Sequence, residues 1–488
     1  MKKPNTAGVI QAIVNDRAGA IILSRVMVKW TKREQGYEEV VGRIGVHAER
    51  DAGACRVQQF TLDNGLRVIV QEDHRSPVVV SQLWYRVGSM DEFNGSTGLS
   101  HMLEHMMFKG TKTVPDGQFS RLIASVGGRE NAFTNLDYTV YFEQLQKDRL
   151  GLAFRLEADR MHNLLLAEDS FRQENRVVQE ERRMRTEDQP EALVYENLMA
   201  TTFEANPYRR PVIGWMDDIR NLTVDDVRHW YQSWYAPNNA TLVVVGDVQP
   251  DAVRALAQQY FGGIASHPLP VRKPQEEPQQ VGTKRIVVKA PAKVPYMMMA
   301  WHVPVLRDYA HDWQPYALQV LAGVLDGNSG ARLGRVVVRE QRIASEASAS
   351  YDLVGRGPGL FVIDATPMQG KTMAELEAAL QAQVRSIAEQ GVSADELRRV
   401  KSQVIADNVY RRDSMFYQAM LLGEYVTDGL PVEAVAAQAD RVSAVTAQQV
   451  QQVAKQYLVD DALTVATLDP QPWDEHHERP AVDLHDLR

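Results

Sequence analysis

The chain repeats itself, and the repeat restricts its architecture more than any other feature. Leu222-Thr223-Val224-Asp225-Asp226-Val227 is followed by Tyr235 and by strand-like Thr241-Leu242-Val243-Val244. Val445-Thr446-Ala447-Gln448-Gln449-Val450, Tyr457 and Leu463-Thr464-Val465-Ala466 echo that run in the same order. Glu168-Asp169-Ser170-Phe171-Arg172 is echoed by Ala394-Asp395-Glu396-Leu397-Arg398. The offsets are nearly constant, about 223 to 226 residues. Chance likeness between amphipathic helices is the bland alternative; matched order and offset favour duplication of one α+β domain. Residues 266–282 carry Ser266, Pro268, Pro270, Pro274 and Pro278 among Gln and Glu, a linker composition. The expected division is an extension at 1–55, a first domain at 56–265, the linker at 266–282, a second domain at 283–470 and a polar tail at 471–488.

Within the first copy, residues 60–70 read as two strands around the turn Asp63-Asn64-Gly65. Further strands are expected at 78–87, 139–145 and 240–245, and helices at 150–166 and 170–186. With the repeat, these elements are read as two copies of one α+β domain.

The chemistry is concentrated in His101-Met102-Leu103-Glu104-His105. On a helix, which Ser100 or Ser96 could cap, His101 and His105 lie one turn apart on one face. Two imidazoles so spaced can grip one metal ion, and Glu104 points near the same side, where it can take a proton from an attacking water. H-x-x-E-H is the inverted form of the H-E-x-x-H metallopeptidase motif. The second copy has no such pentad, and its corresponding region, 313–326, contains no histidine. Only the first copy can hold this site.

A catalytic zinc takes three protein ligands and keeps one position open. The helix at 171–185 offers the third. Phe171, Glu174, Val177, Val178, Glu181 and Met184 recur at spacings of three and four, a mostly apolar stripe expected to face the core. Carboxylates in such a stripe need a partner. Glu181 is therefore the candidate ligand and Glu180, off the stripe, a solvated acid. Glu174 is a candidate functional carboxylate that orients a ligand or assists proton transfer. The alternative is that both acids pair with Arg176, Arg182 or Arg183.

These residues resemble the pitrilysin, insulysin and mitochondrial processing peptidase family of zinc metallopeptidases, which pairs H-x-x-E-H with a glutamate about 75 residues later. Gly98-Leu99-Ser100-His101, Glu104-His105-Met106-Met107-Phe108-Lys109-Gly110-Thr111, Gly127-Gly128 and Arg176-Val177-Val178-Gln179-Glu180-Glu181 resemble the short bacterial members. The resemblance covers about residues 57 to 470. It implies one zinc per chain on His101, His105 and Glu181, with Glu104 and Glu174 in catalytic roles. It also implies that each copy is a mostly antiparallel sheet with helices packed on it, and that the chain is an endopeptidase acting on extended peptides or unfolded segments. Asn131, Ala132, Phe133 and Thr134 would align substrate beside an edge strand, and Arg339 would face it from the second domain. The family often has a Tyr seven residues after that Arg; here the position is Glu346, and Tyr351 is out of register. Either another residue substitutes for that Tyr or a partner subunit supplies its function, and a homodimer or a heterodimer with a related subunit is expected. The alternative reading is a non-catalytic or heterodimer-dependent subunit that binds peptides or a partner chain.

Other classes fit poorly. A net charge of −9 over 488 residues with no basic cluster gives no nucleic-acid footprint. No stretch of 18 apolar residues suggests a transmembrane segment. The single cysteine, Cys55, excludes an internal disulfide without naming a compartment. The run Ala18-Gly19-Ala20-Ile21-Ile22-Leu23-Ser24 is a poor signal peptide, and Ala52-Gly53-Ala54-Cys55 lacks the apolar run of a lipoprotein site. The chain as written reads as cytoplasmic, and the resemblance as periplasmic. Glu475-His476-His477-Glu478 reads as a solvated tail, and His162, His229, His302 and His311 as isolated histidines.

Overall fold

A computed structural model describes residues 57–472. The extension at 1–55, with Cys55, and the run Glu475-His476-His477-Glu478 lie outside the described residues. The first copy runs β1 (Val57–Thr61), β2 (Arg67–Glu72), β3 (Val78–Tyr85), α1 (Leu99–Met106), α2 (Gln118–Ser125), β4 (Arg129–Thr134), β5 (Thr139–Gln146), α3 (Leu150–Asn163), α4 (Glu168–Arg182), α5 (Pro190–Thr202), α6 (Met216–Asn221), α7 (Val224–Trp234), β6 (Ala240–Gly246) and α8 (Pro250–Phe261). The second runs β7 (Lys284–Pro291), β8 (Tyr296–Val303), α9 (Gln314–Asp326), β9 (Ala344–Tyr351), β10 (Gly359–Pro367), α10 (Met373–Gln390), α11 (Ala394–Arg411), α12 (Met415–Thr427), α13 (Glu433–Ala444), α14 (Ala447–Tyr457) and β11 (Leu463–Gln471).

The duplication is visible in the sheets. The first has the order β1-β2-β6-β3-β5-β4 and the second β7-β11-β8-β10-β9. Dropping β1, the two orders match strand for strand. Each sheet is antiparallel except for one pair, β2 with β6 and β7 with β11, at the same place in both. The repeated sequence builds the same local chemistry in both copies. Thr223 Oγ1 accepts from Asp226 N while Thr223 N donates to Asp226 Oδ2, a capping box that starts α7. Thr446 and Gln449 make the same box at α14. Such a box satisfies two of the backbone donors that a helix start leaves unpaired.

The two copies exchange helices. On α5, Val194 and Leu198 pack on the second sheet against Met298, Ala300, Ala466 and Leu468. In return α12 lies on β3 and β6 of the first sheet. Gly423 of α12 sits so close to the buried Trp84 ring that a Cβ there would overlap the indole. Arg86 Nε donates to Thr427 O at 2.7 Å, and Gln418 Nε2 to Asp73 Oδ2 at 3.0 Å, across the same seam.

Residues 265–281 have no regular structure but are pinned to the first copy. Glu277 accepts from the backbone N–H groups of Glu204, Ala205 and Asn206 at 2.6–3.0 Å, and Arg272 Nε donates to Asp91 Oδ1 at 2.7 Å. Among the described residues no helix is long and apolar enough to cross a membrane.

Candidate metal centre

The pentad lies on α1, a helix of eight residues whose Met102, Leu103 and Met106 are fully buried and anchor it in the first core. Neither Ser96 nor Ser100 caps it with a side-chain bond. The N-cap is Gly98 at φ +89°, a left-handed conformation glycine adopts without strain; a Cβ there would also collide with Ile213 O. Glu92 takes over the capping. Its Oε2 accepts from Gly98 N and its Oε1 from Ser100 N, both at 2.7 Å. Burial pushes the Glu92 carboxyl up to about 8, and the two N–H donors oppose that shift.

Helix α4 packs against α1 and brings Glu181 to the two histidines. Glu181 Oε2 lies 3.3 Å from His105 Nε2 and 3.6 Å from His101 Nε2. One nitrogen of each ring and one carboxylate oxygen of Glu181 gather within 4.8 Å of one another. These spacings suit a shared cation. Ligand atoms about 2.0–2.1 Å from a tetrahedral zinc are about 3.4 Å apart. The other oxygen of Glu181 is held by Arg185 Nη1 at 2.8 Å, so Oε2 alone faces the histidines. Glu180 is turned to Arg183, also at 2.8 Å.

The surrounding groups orient this set. Glu174 Oε2 is 3.1 Å from His105 Nδ1, and its Oε1 is 2.5 Å from Lys109 Nζ. A carboxylate on the far nitrogen fixes which nitrogen of His105 faces the cluster. His101 Nδ1 is buried with no hydrogen-bond partner. Burial lowers the His101 pKa to about 4, leaving it neutral and able to donate a lone pair. Burial alone would lower His105 too, but its bonds to Glu174 and Glu181 raise it to about 9. Burial would raise Glu181, and His105, His101 and Arg185 instead bring it down to about 2.

Glu104 stands beside the ligand set, and Thr134 Oγ1 donates to its Oε2 at 2.5 Å. Burial lifts the Glu104 carboxyl to about 7, against the pull of Thr134 and His105. Asn131, Ala132, Phe133 and Thr134 belong to β4, the outermost strand of the first sheet. Phe133 is partly buried and packs its ring against Trp84, Tyr138 and Phe142. Arg339 is exposed near the end of a π-helical segment, Leu333–Glu340, of the second copy, and its guanidinium bonds Ser329 O. Glu346 is exposed on β9, and Tyr351 donates to Pro304 O at 2.6 Å.

The stripe on α4 departs from expectation at two places. Phe171, Glu174 and Val178 are buried, but Val177 is 37% and Met184 55% exposed. A π turn over Arg183–Glu187 breaks the 3.6-residue phase at Met184. Residues missed by sequence reasoning are Glu92, Lys109 and Arg185. Only Arg185 left a signal, its i,i+4 spacing from Glu181.

Known proteins share this arrangement of domains. Residues 67–215 match the family described as insulinase (peptidase family M16), and residues 221–404 the one described as peptidase M16 inactive domain. The zinc protease PqqE of Helicobacter pylori is 32% identical over 378 residues, covering 76% of this chain and 83% of that protein. The crystal structure of a protease from Helicobacter pylori superposes with a TM-score of 0.81 at 28% identity, over 85% of this chain and 100% of that one. The periplasmic protease PqqL from Escherichia coli shares the fold, with a TM-score of 0.73 at 21% identity, over 85% of this chain and 48% of that one.

Proposed function

Because the chain belongs to the M16 (insulinase) peptidase family, we propose that it is a zinc-dependent endopeptidase acting on extended peptides or unfolded segments. The carrying observation is the spacing of His101, His105 and Glu181, whose facing atoms stand 3.3 and 3.6 Å apart, the edge lengths of a tetrahedral zinc site. His101, His105 and Glu181 would hold one zinc. Zinc, when bound, supplies Lewis acidity toward the scissile carbonyl and makes water easier to deprotonate.

This chain's own residues do the rest. The free edge of β4 pairs with an extended peptide and sets the carbonyl beside Glu104. Glu104 takes a proton from the attacking water as the new carbon–oxygen bond forms. It returns that proton to the leaving nitrogen as the carbon–nitrogen bond breaks. A carboxyl near neutrality suits both transfers. Glu174 keeps the His105 ring in its orientation.

A second reading is favoured by the second copy. Arg339 is turned to Ser329, and Glu346 stands where the family often has Tyr. In that reading a homodimeric partner or a related subunit completes peptide binding. Location in the periplasm rests on resemblance alone.

Purified chain, alone, assayed on unstructured peptides with and without chelator, tests both readings. Chelator-sensitive cleavage restored by zinc is expected. Zinc uptake without cleavage until a related subunit is added would favour the second reading. Chelator-insensitive cleavage, or failure to take up zinc, would overturn the assignment.

A further inference from the structure

One side chain of the copy without metal ligands bonds the supports of the candidate centre. Arg356 lies in the loop joining β9 to β10. Its counterpart loop in the first copy joins β4 to β5 and contains Asn135, Leu136 and Asp137. The two equivalent loops meet. Arg356 Nη1 donates to Asp137 O at 2.8 Å, and Arg356 N to Asp137 Oδ2 at 3.2 Å. The same guanidinium grips Asp91 with both prongs, Nη1 to Oδ2 at 2.8 Å and Nη2 to Oδ1 at 2.9 Å. Both side chains are 5% exposed or less. A bidentate arginine–carboxylate pair away from water is directional as well as strong.

Each gripped residue supports one side of the centre. Asp91 ends the 3-10 turn Ser89–Asp91, and the next residue, Glu92, holds Gly98 N and Ser100 N at the start of α1. His101 follows directly. Asp137 lies at the end of the β4–β5 hairpin, three residues beyond Thr134, which holds Glu104. The turn and the hairpin are also bonded to each other, Ser89 N to Asn135 O at 3.2 Å and Met90 N to Leu136 O at 2.9 Å. The support of the histidine helix and the support of Glu104 thus converge on Arg356, while Arg272 shares only Asp91 Oδ1 and does not bond Asp137.

We propose that Arg356 is a positioning residue for the metal centre, fixing α1 through Asp91 and Glu92, and β4 through Asp137. The inference rests on the peptidase reading for its catalytic consequence, but not for its structural one. It gives the second copy a task in the reaction without placing any of its groups on substrate. Lysine keeps the charge but has no fork, so Arg356→Lys is the informative change.

The test compares Arg356→Lys, Asp91→Asn and Tyr208→Phe in the full chain. Tyr208 belongs to the same seam, donating to Asp137 and accepting from Gly357 N at 2.8 Å, but does not touch Asp91. Amide hydrogen exchange on the metal-free protein is read first. Arg356→Lys and Asp91→Asn are expected to speed exchange at Gly98 and Ser100; Tyr208→Phe is not, even where it lowers Tm as much. Zinc Kd, from competition with a chromophoric chelator, is expected to weaken about tenfold in the first two variants, the effect usual for groups that orient a ligand. Peptide kcat should fall about tenfold with KM within twofold, and the Arg356→Lys/Asp91→Asn double variant should lose no more than one single. Unchanged exchange at Gly98 and Ser100 would overturn the inference, as would equal effects from Tyr208→Phe, which would make the seam a general brace. If the unmodified chain took up no zinc, the function proposed above would fall while the exchange measurement still decided this one.

Discussion

Thr134 Oγ1 donates to Glu104 Oε2 across 2.5 Å, tying the edge strand β4 to the helix α1. The bond occupies one carboxylate oxygen and leaves the other for a proton in transit. Strand and base are therefore held in one register. In the proposed mechanism a peptide added to β4 would be positioned relative to Glu104 by the same residue that orients it. Thr134→Val, which keeps the shape and removes the hydroxyl, should lower kcat about 10- to 100-fold. Thr134→Ser should recover most of it. Peptide Kd for the metal-free protein, by fluorescence anisotropy, should be unchanged in both. A weakened Kd with unchanged kcat would mean that Thr134 serves substrate rather than base.

Glu104→Gln removes the proton acceptor and preserves volume and the contact with Thr134. Zinc stoichiometry should stay at that of the parent, and turnover should drop about a thousandfold. Metal analysis and peptide cleavage on one preparation check it. Retained cleavage would remove Glu104 from the mechanism.

The two neighbouring acids of α4 should behave oppositely. Glu181 faces both histidines, and Glu180 faces Arg183 at the surface. Glu181→Gln should weaken zinc binding by about 100-fold or more, because a neutral amide is a poor zinc ligand. Glu180→Gln should leave it unchanged. Chelator competition on the two variants separates them.

Stability of the metal-free protein should depend on pH through His105 and Glu181. His105 is raised from 6.5 to about 9, so its contribution is complete below pH 6.5 and is lost as pH rises through about 9. Glu181 is lowered from 4.5 to about 2, so its contribution is complete above pH 4.5 and is lost as pH falls through about 2. Between pH 4.5 and 6.5 both contribute in full. Tm of the metal-free chain should decline toward pH 9, and a His105→Gln variant should show less of that decline. Saturating zinc should flatten it, because a His105 that ligands through Nε2 is neutral and keeps only its Nδ1 proton. Scanning calorimetry at pH 6 and pH 9 (about the two ends of this range) reads the difference.

Gly423→Ala tests the exchanged helix. A methyl group at that position overlaps the Trp84 indole, which is fully buried and bonded through Nε1 to Gln82. Overpacking of this kind costs about 1–3 kcal/mol, and the rigid ring on β3 puts the expected loss at the upper end. Urea denaturation should show a lower midpoint without loss of zinc binding.

How much of this was legible in the chain follows from the range of each interaction. The capping boxes at Thr223 and Thr446 span three residues, so the repeat they mark survives as readable text. His101 and His105 share a face because of helix geometry alone. Glu181 could be nominated because a carboxylate in an apolar stripe needs a partner. The same stripe misjudged Val177 and Met184, which are exposed, the second past a π turn that shifts the phase. Glu92 left no pattern at all, since its bonds to Gly98 N and Ser100 N cross an irregular loop.

Sequence alone determined the doubled α+β organisation, the pentad on one helical face and the confinement of candidate ligands to the first copy. Each depends on the period of a helix or strand, or on residues absent from the second copy. Tertiary structure alone decided that Glu181 Oε2 stands 3.3 Å from His105, that α5 and α12 cover each other's sheets, and that Arg356 meets Asp91. An amphipathic pattern records that a face is buried, but not against which surface. A charge in the sequence does not record its partner. Both are settled only when segments hundreds of residues apart compete for the same contact.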